Sequence, residues 1–410
     1  MAVSFDDLKL CKFKCEDIQV IFKDGSTDTI LSMNISSFKI EKDFLKNFLP
    51  IFELQCTVNY DLYKRINKEE CKFKLNFSKF FIPSNNETTY DKRNLFLKNF
   101  IDNIFVNIND GDNTPDMTND LGERNGKDLE KPNNFQKSQI ELDLFLFLEE
   151  ALEYTKLNNN IFKDINILDT IMALATVTEQ RKMMLALPDN RIKKYDTIPI
   201  PNDLTFLGAI EYLQSVYGIY DKSLIIFNDF DYLYILDKDV KCKAYRNSEI
   251  IKIYINYYEI TDSKGNINGQ YEGSNYYEIS STEKPGIGNS STQIKQFLGS
   301  SVSSINTKTG STKNIQNKDT KILDNKYNNS YAENSFKYDK TFVKTIHTKF
   351  KNIDPSIFKL NKEFYFQFNT DNSKYLEYNG QYKLTYLNIT FNKSDEEIFE
   401  NVIEAKFTRA

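Results

Sequence analysis

Apolar and polar residues alternate with a period of two in several stretches of the chain. Phe52, Leu54, Cys56, Val58 and Tyr60 alternate with Glu53, Gln55, Thr57 and Asn59. Further on, Cys71, Phe73, Leu75 and Phe77 alternate with Lys72, Lys74 and Asn76. Successive side chains of a strand point to opposite faces, so each set marks one buried face and one face in solvent or at an interface. Residues 18–22 and 35–40 read as two more strands, and residues 1–106 together read as a β domain.

Residues 107–137 hold almost no apolar side chains and several turn signals, which predicts a polar loop. The pattern then changes. Ile140, Leu142, Leu144 and Leu146 alternate with Glu141, Asp143, Phe145 and Phe147, a strand that becomes apolar on both faces. Residues 165–184 predict a helix with Ile167, Ile171, Leu174 and Thr178 on one stripe and Asp164 or Asn166 as its cap. After the extended Ile198-Pro199-Ile200-Pro201, a second helix is predicted from Leu204, Leu207, Ile210, Leu213 and Val216. Asn202 or Asp203 would begin it and Gly218 would end it. Short strands follow at 223–227 and 232–236, so residues 138–249 read as a mixed α/β region.

Strand patterns return at 250–260, 342–346, 364–368, 381–391 and 403–407. Residues 250–260 and 341–410 therefore read as a second β domain. Between them, residues 261–340 are dominated by Ser, Asn, Thr, Lys and Gly. Such a stretch buries too little apolar surface to offset its ordering entropy. It reads as a flexible polar insertion, or as an arm that orders against a partner. No repeat links the first and last strand regions. The expected fold class is mainly β with an α/β middle region.

Composition sharpens this picture. The chain of 410 residues has 32 Phe, 25 Tyr and no Trp, a bias that suits pleated surfaces. The net charge of -5, from 53 basic and 58 acidic residues, argues against a dedicated nucleic-acid-binding surface but permits a channel that DNA only passes through. Cys11, Cys15, Cys56, Cys71 and Cys242 are odd in number and irregular in spacing, and read as reduced core residues. The N-terminal MAVSFDDLKLCKFK carries acidic residues and no long apolar core, so no secretory signal is expected there. No run of about twenty apolar residues predicts a membrane span.

Candidate chemistry is sparse. Asp229, Asp231, Asp237 and Asp239 form an acidic cluster of the kind that holds calcium or magnesium, but they flank an alternating strand and read as Asp-rich turns. Asn107 to Asp116 fails the calcium-loop spacing, because with Gly111 at the glycine place the preceding ligand places fall on Val106 and Ile108. Gly286-Ile287-Gly288 lacks the flanking strand and helix of a dinucleotide site. His347, the one histidine, has no identifiable nucleophile or orienting partner. No residue is assigned a catalytic, cofactor-binding or metal-binding role, and no enzymatic activity is expected.

Three stretches carry a resemblance. They are Ile35-Ser-Ser-Phe-Lys-Ile-Glu-Lys-Asp-Phe44 with Leu49-Pro-Ile-Phe-Glu-Leu54 and Tyr60-Asp-Leu-Tyr-Lys-Arg-Ile66, then Ile198-Pro-Ile-Pro-Asn-Asp-Leu-Thr-Phe-Leu-Gly-Ala-Ile-Glu-Tyr-Leu213 with Tyr217-Gly-Ile-Tyr220, then Ile225-Ile-Phe-Asn-Asp-Phe-Asp-Tyr-Leu-Tyr-Ile235. In order and spacing the chain resembles the baseplate hub family of long-tailed, contractile-tail bacteriophages. The resemblance covers about half of the chain and contains no catalytic motif. It implies two tail-tube-like β-barrel domains flanking a mixed α/β domain, and a homotrimeric ring joining the hexameric tail tube to the central spike. It also implies tape-measure and baseplate wedge proteins as partners, DNA in transit only, no stable membrane insertion, assembly in the host cytoplasm and a final place in the virion. Another tail component, such as a wedge or adaptor, and a tail-associated cell-wall hydrolase are the alternatives.

Overall fold

A computed structural model describes residues 8–83, 98–108, 139–148, 161–177, 183–202, 204–220, 224–229, 232–237, 250–258, 268–273, 276–291, 302–305, 312–315, 342–360, 362–395 and 398–409. Strands β1 (Lys9–Cys15), β2 (Ile18–Phe22), β3 (Thr27–Ile30), β4 (Ile35–Asp43) and β5 (Ile51–Asn59) lead into helix α1 (Tyr60–Lys68). Then come β6 (Cys71–Pro83), β7 (Lys98–Ile108) and β8 (Gln139–Leu148). The middle holds β9 (Ile161–Asn166), α2 (Ile167–Val177), β10 (Met183–Leu185), β11 (Lys194–Pro199), α3 (Phe206–Tyr217), β12 (Leu224–Asn228) and β13 (Leu233–Asp237). The remainder is β14 (Ile250–Asn256), β15 (Gly269–Glu272), β16 (Tyr276–Ser281), β17 (Gly286–Ser291), β18 (Val302–Ile305), β19 (Thr312–Ile315), β20 (Phe342–Lys351), β21 (Glu363–Asn369), β22 (Gly380–Lys393) and β23 (Ile398–Arg409). The fold is mainly β with few helices, as the alternation predicted.

Sixteen strands join one sheet, and extra pairings close it on itself. A seven-stranded barrel runs β23–β1–β15–β16–β14–β21–β22 and returns to β23. A second circuit of pairings runs β6–β1–β23–β22–β4–β5–β8–β7 and returns to β6. The two circuits share β1, β22 and β23, so strands from both ends of the chain lie in each.

Two of the shared strands, β22 and β23, are forked. On β22, Glu363–Phe366 of β21 pair with residues 380–383, and β4 takes over from Tyr386 onward. The register slips between Leu384 and Tyr386, and Phe44 N donates to Thr385 O there (3.3 Å). Such a bulge bends a strand and re-aims its edge. On β23, Phe399 and its neighbours pair with β1, whereas β20 pairs from Val402 to Thr408. Asn352 fills the gap between them: its N–H donates to Asn401 O (3.0 Å), and its carbonyl accepts from Cys11 N (2.6 Å). Asn352 does this in a left-handed conformation, φ 56°. The wholly buried Asn401 donates its side-chain amide to Ile353 O (2.6 Å), and Asp354 N donates to Gln270 Oε1 (2.6 Å). The fork is a buried polar seam whose backbone groups are largely paired.

One apolar core runs from Cys11 to Phe407 through both circuits. Within it Phe38 stacks on Phe77 and on Phe391, and Phe407 meets Phe364 and Phe366 edge-on. The middle region has a second core of Ile167, Ile171, Leu174, Ile198, Phe206, Ile210 and Leu213. Strand β13 divides its side chains between the two cores. Leu233 and Ile235 face the helices, while Tyr234 and Leu236 face the barrel core. A strand buried on both sides reads as a continuous apolar run, as this one does.

Several expectations are corrected. Of the stretch 165–184 expected as a helix, residues 167–177 are helical, 165 and 166 end β9, 183–185 form a strand parallel to β13, and 178–182 lie outside the described residues. Asn166, one of the two expected caps, accepts from Asp169 N (2.8 Å). The second helix begins at Phe206 with Thr205 as its cap, so neither Asn202 nor Asp203 caps it; its end at left-handed Gly218 is as expected. The three-residue spacing drifts off a 3.6-residue turn, and Phe206, Ala209, Ile210, Leu213 and Tyr217 form the buried face. Strand β1 was missed, because its lysines disguise a strand buried on both faces. Strand β8, read with the middle region, pairs with β5 and β7. Within 261–340, β15, β16 and β17 are strands of the large sheet where a flexible insertion or arm was expected. Ile279 buries fully among polar neighbours, and partner strands supply the ladder that composition did not announce. The loop expected over 107–137 lies outside the described residues from 109 onward.

The left-handed position gives the first prediction. Asn352→Gly leaves the unfolding free energy, read by urea titration, within about 1 kcal/mol of wild type. Asn352→Val, with a branched Cβ at positive φ, lowers stability by roughly 1–3 kcal/mol.

Candidate assembly face

The outer surface of β8–β5–β4–β22–β23–β20 is a registered polar wall. One row across it reads Glu53, Lys39, Thr390, Val402, Lys351. The next reads Glu41, Asn388, Glu404, Lys349, and the one after it Asp43, Tyr386, Lys406, His347. The opposite face of the same strands carries Phe52, Leu54, Phe38, Ile40, Leu387, Ile389, Ile403 and Phe407, all in the core. Period-two alternation in six neighbouring strands thus builds one continuous surface of mixed charge on one rigid backing.

Charges on the wall are interleaved. Lys39 Nζ lies 3.3 Å from Glu53 Oε2 and 3.8 Å from Glu41 Oε2. Lys349 Nζ lies 2.5 Å from Glu404 Oε1, and Lys12 Nζ 2.8 Å from Glu400 Oε1. The hydrogen bond from Lys349 holds the Glu404 carboxyl below its ordinary range. Burial pushes the Tyr386 hydroxyl up to about 12, helped by the Glu41, Glu404 and Asp43 carboxylates. Lys406 sits over the Tyr386 ring, 4.7 Å from its centroid.

The candidate chemical residues take other places. His347 is exposed on the wall opposite Lys406, and burial of its ring together with Lys406 lowers its pKa. Gly286 and Gly288 lie in β17 opposite His347 and Thr345, so this segment is a strand and not a phosphate loop. Asp229 forms a buried ion pair with Lys42, 2.6 Å long, with side chains 12% and 8% exposed. Asp237 is buried at the end of β13, and Asp231 and Asp239 lie outside the described residues. No group of metal-ligating side chains is present among the described residues. Of Asn107–Asp116 only Asn107 and Ile108 are described, at the end of β7. Cys11, Cys15, Cys56 and Cys71 are buried free thiols. Burial pushes Cys56 up to about 12 and Cys71 up to about 11, which makes them poor nucleophiles. Cys242 lies outside the described residues. No helix among those residues is long and apolar enough to cross a membrane.

The Lys42–Asp229 pair is what the acidic cluster contributes. It ties β4 to the turn between β12 and β13, where Phe44 meets Phe227 edge-on (4.7 Å) and Asn228 N donates to Phe48 O (2.8 Å). The middle region is thereby docked on the barrel through residues 42–48. The sequence pointed to Asp229 but gave no sign that its partner lies 187 positions away.

These features define a β-barrel protein that carries an extended polar wall. The chain belongs to the bacteriophage PBS1 gene 109 protein family, whose model matches residues 12–404. No curated protein matches it. Among solved structures it is similar to a tail protein from Neisseria meningitidis MC58 (12% identity, 96% of each chain, TM-score 0.48). It is also similar to the 43 kDa tail protein of prophage MuSo2 from Shewanella oneidensis (10% identity, 95% of this chain and 96% of that one, TM-score 0.46). A third is the E. coli c3393 protein, a component of the type VI secretion system (6% identity, 91% and 73%, TM-score 0.40). These similarities carry no residue-level comparison.

Two outcomes test the site. Lys42→Ala strips a buried carboxylate of its nearest cation and lowers the unfolding free energy by roughly 3–5 kcal/mol, whereas Lys42→Met with Asp229→Leu loses much less, as read by urea titration. Because the folded Glu404 carboxyl is more acidic than its ordinary value of 4.5, its contribution is present above that pH. It is lost as pH falls through the lower folded value. The stability gap between wild type and Glu404→Gln therefore shrinks between about pH 6 and about pH 3.

Proposed function

We propose that this chain is the non-enzymatic structural hub of a bacteriophage tail baseplate. Three copies form a ring that joins the hexameric tail tube to the central spike, with tape-measure and wedge proteins as further neighbours. The observation that carries the reading is the polar wall, which runs from β8, β5 and β4 of the second circuit through the shared β22 and β23 to β20. The two circuits act as two tube-like barrels flanking the mixed α/β region, so three chains present six similar stations to a sixfold tube. A closed ring satisfies its own contacts and stops growing. Membership in a bacteriophage protein family supports the setting, a virion component assembled in the host cytoplasm.

In this reading the wall faces the channel. Lys39 and Lys349 of the wall are matched by carboxylates within 2.5 to 3.8 Å and Lys351 by Glu283 at 2.8 Å, so passing DNA meets no continuous basic track. Affinity for DNA grows with the number of phosphates neutralised, and a balanced wall neutralises few. DNA is then a transit cargo and not a bound partner.

The test is the copy number and symmetry of the chain in assembled tails, read by cryo-electron microscopy. Three copies in threefold density at the end of the tube are expected. Six or twelve copies at the periphery would replace the hub with a wedge or adaptor.

A further inference from the structure

Both circuits close through the same two pairings. β1–β23 and β22–β23 belong to each, and among the described residues the circuits have no other pairing in common. Apart from β23, two arcs lead from β1 to β22. One runs through β15, β16, β14 and β21. The other runs through β6, β7, β8, β5 and β4. The arcs alone make one ring of eleven strands, and β23 crosses it. Side chains fill a barrel of about eight strands and not a much wider one. β23 helps to fill this one, because Phe399, Ile403, Ala405 and Phe407 all lie in the core.

The two shared pairings differ in range. β22 and β23 are joined by residues 394–397 and form a local hairpin. β1 and β23 meet over three pairs only, and their ion pair, Lys12 with Glu400, joins residues 388 positions apart. A contact of that range forms slowly, because chain entropy is lost before the contact is gained. Its register is specified on both faces. Phe13 and Phe399 are wholly buried, while Lys12 Nζ lies 2.8 Å from Glu400 Oε1 on the other side. A slip by one residue would carry the Glu400 carboxylate to the core face. Asn352 locks the end of the contact, since its carbonyl accepts from Cys11 N of β1 and its N–H donates to Asn401 O of β23.

We propose that the β1–β23 contact is a clasp that closes both barrels in one event. Until β23 of the hairpin meets β1, neither circuit is closed. When it does, the wide ring is divided and each half packs around its own part of the core. The two barrels therefore form together or not at all, and a chain never presents one without the other. For assembly this acts as a checkpoint, a consequence that rests on the ring reading above. Each copy offers its two tube-like stations at the same moment, so copies join a ring only after the clasp has closed.

Pulse-labelled hydrogen exchange during refolding of the full chain from urea tests the clasp, read by mass spectrometry on peptides from β1, β14 and β8. β14 belongs to the first circuit alone and β8 to the second alone. All three peptides are expected to gain protection in one shared phase. Phe399→Leu, a modest change inside the contact, slows that phase by roughly two- to fivefold for β14 and β8 alike. Protection of β14 or β8 before β1, separate phases for the two circuits, or slowing of only one circuit or of neither would overturn the clasp. Light scattering in the same refolding reads assembly, which is expected only after the shared phase. A ring that forms ahead of β1 protection removes the clasp and keeps the hub reading. A shared phase in a chain that forms no ring keeps the clasp and removes the hub.

Discussion

The structure depends on one shared pair of strands. β22 and β23 run through both circuits, and each changes partner on one edge along its length. On β22 the edge passes from β21 to β4, which is where the two circuits part, whereas on β23 it passes from β1 to β20, a strand of neither circuit. The handover leaves backbone groups without a ladder partner. On β22 the bulge at Thr385 and the Phe44 amide absorb this, and on β23 Asn352 does. Buried peptide groups without partners are costly, so these few bonds fix where each strand edge changes partner.

That arrangement also explains the wall. Strands that continue from one circuit into the other keep their alternation, so their polar sides form one surface and their apolar sides one core. The mixed α/β region adds to this without interrupting it. It docks through residues 42–48 and the Lys42–Asp229 pair, while β13 gives one set of side chains to each core. The Tyr217–Tyr220 stretch serves the same region: Gln214 bonds both N and O of Tyr220, and the Tyr220 hydroxyl donates to Ala186 O and Ile235 O.

Legibility in the sequence followed the physics of each element. Strands with one wet face, such as β5 and β22, were readable because alternation is a local property. Strand β13 was readable as an apolar run. Strand β1 was not, because Lys12 in its middle is buried against Glu400 of the neighbouring strand, so a charged side chain stands where burial would be read from an apolar one. Strands β15 to β17 were not, because their order comes from ladders to strands far away in sequence. Asp229 was noticed for the wrong chemistry: its neighbours in sequence suggested a cation site, and its neighbour in space is a lysine.

The sequence by itself determined the β-rich class, the positions of most strands, the two middle helices and the sorting of side chains into buried and wet faces. Each of these rests on a period of two or 3.6 residues and on short-range capping. Tertiary structure alone decided which strands pair, that the first and last strands share one barrel, and that six polar faces join into a wall. It also placed the two forks. Those outcomes depend on hydrogen bonds between residues hundreds of positions apart, such as Lys12 with Glu400, and no local pattern encodes such a partner.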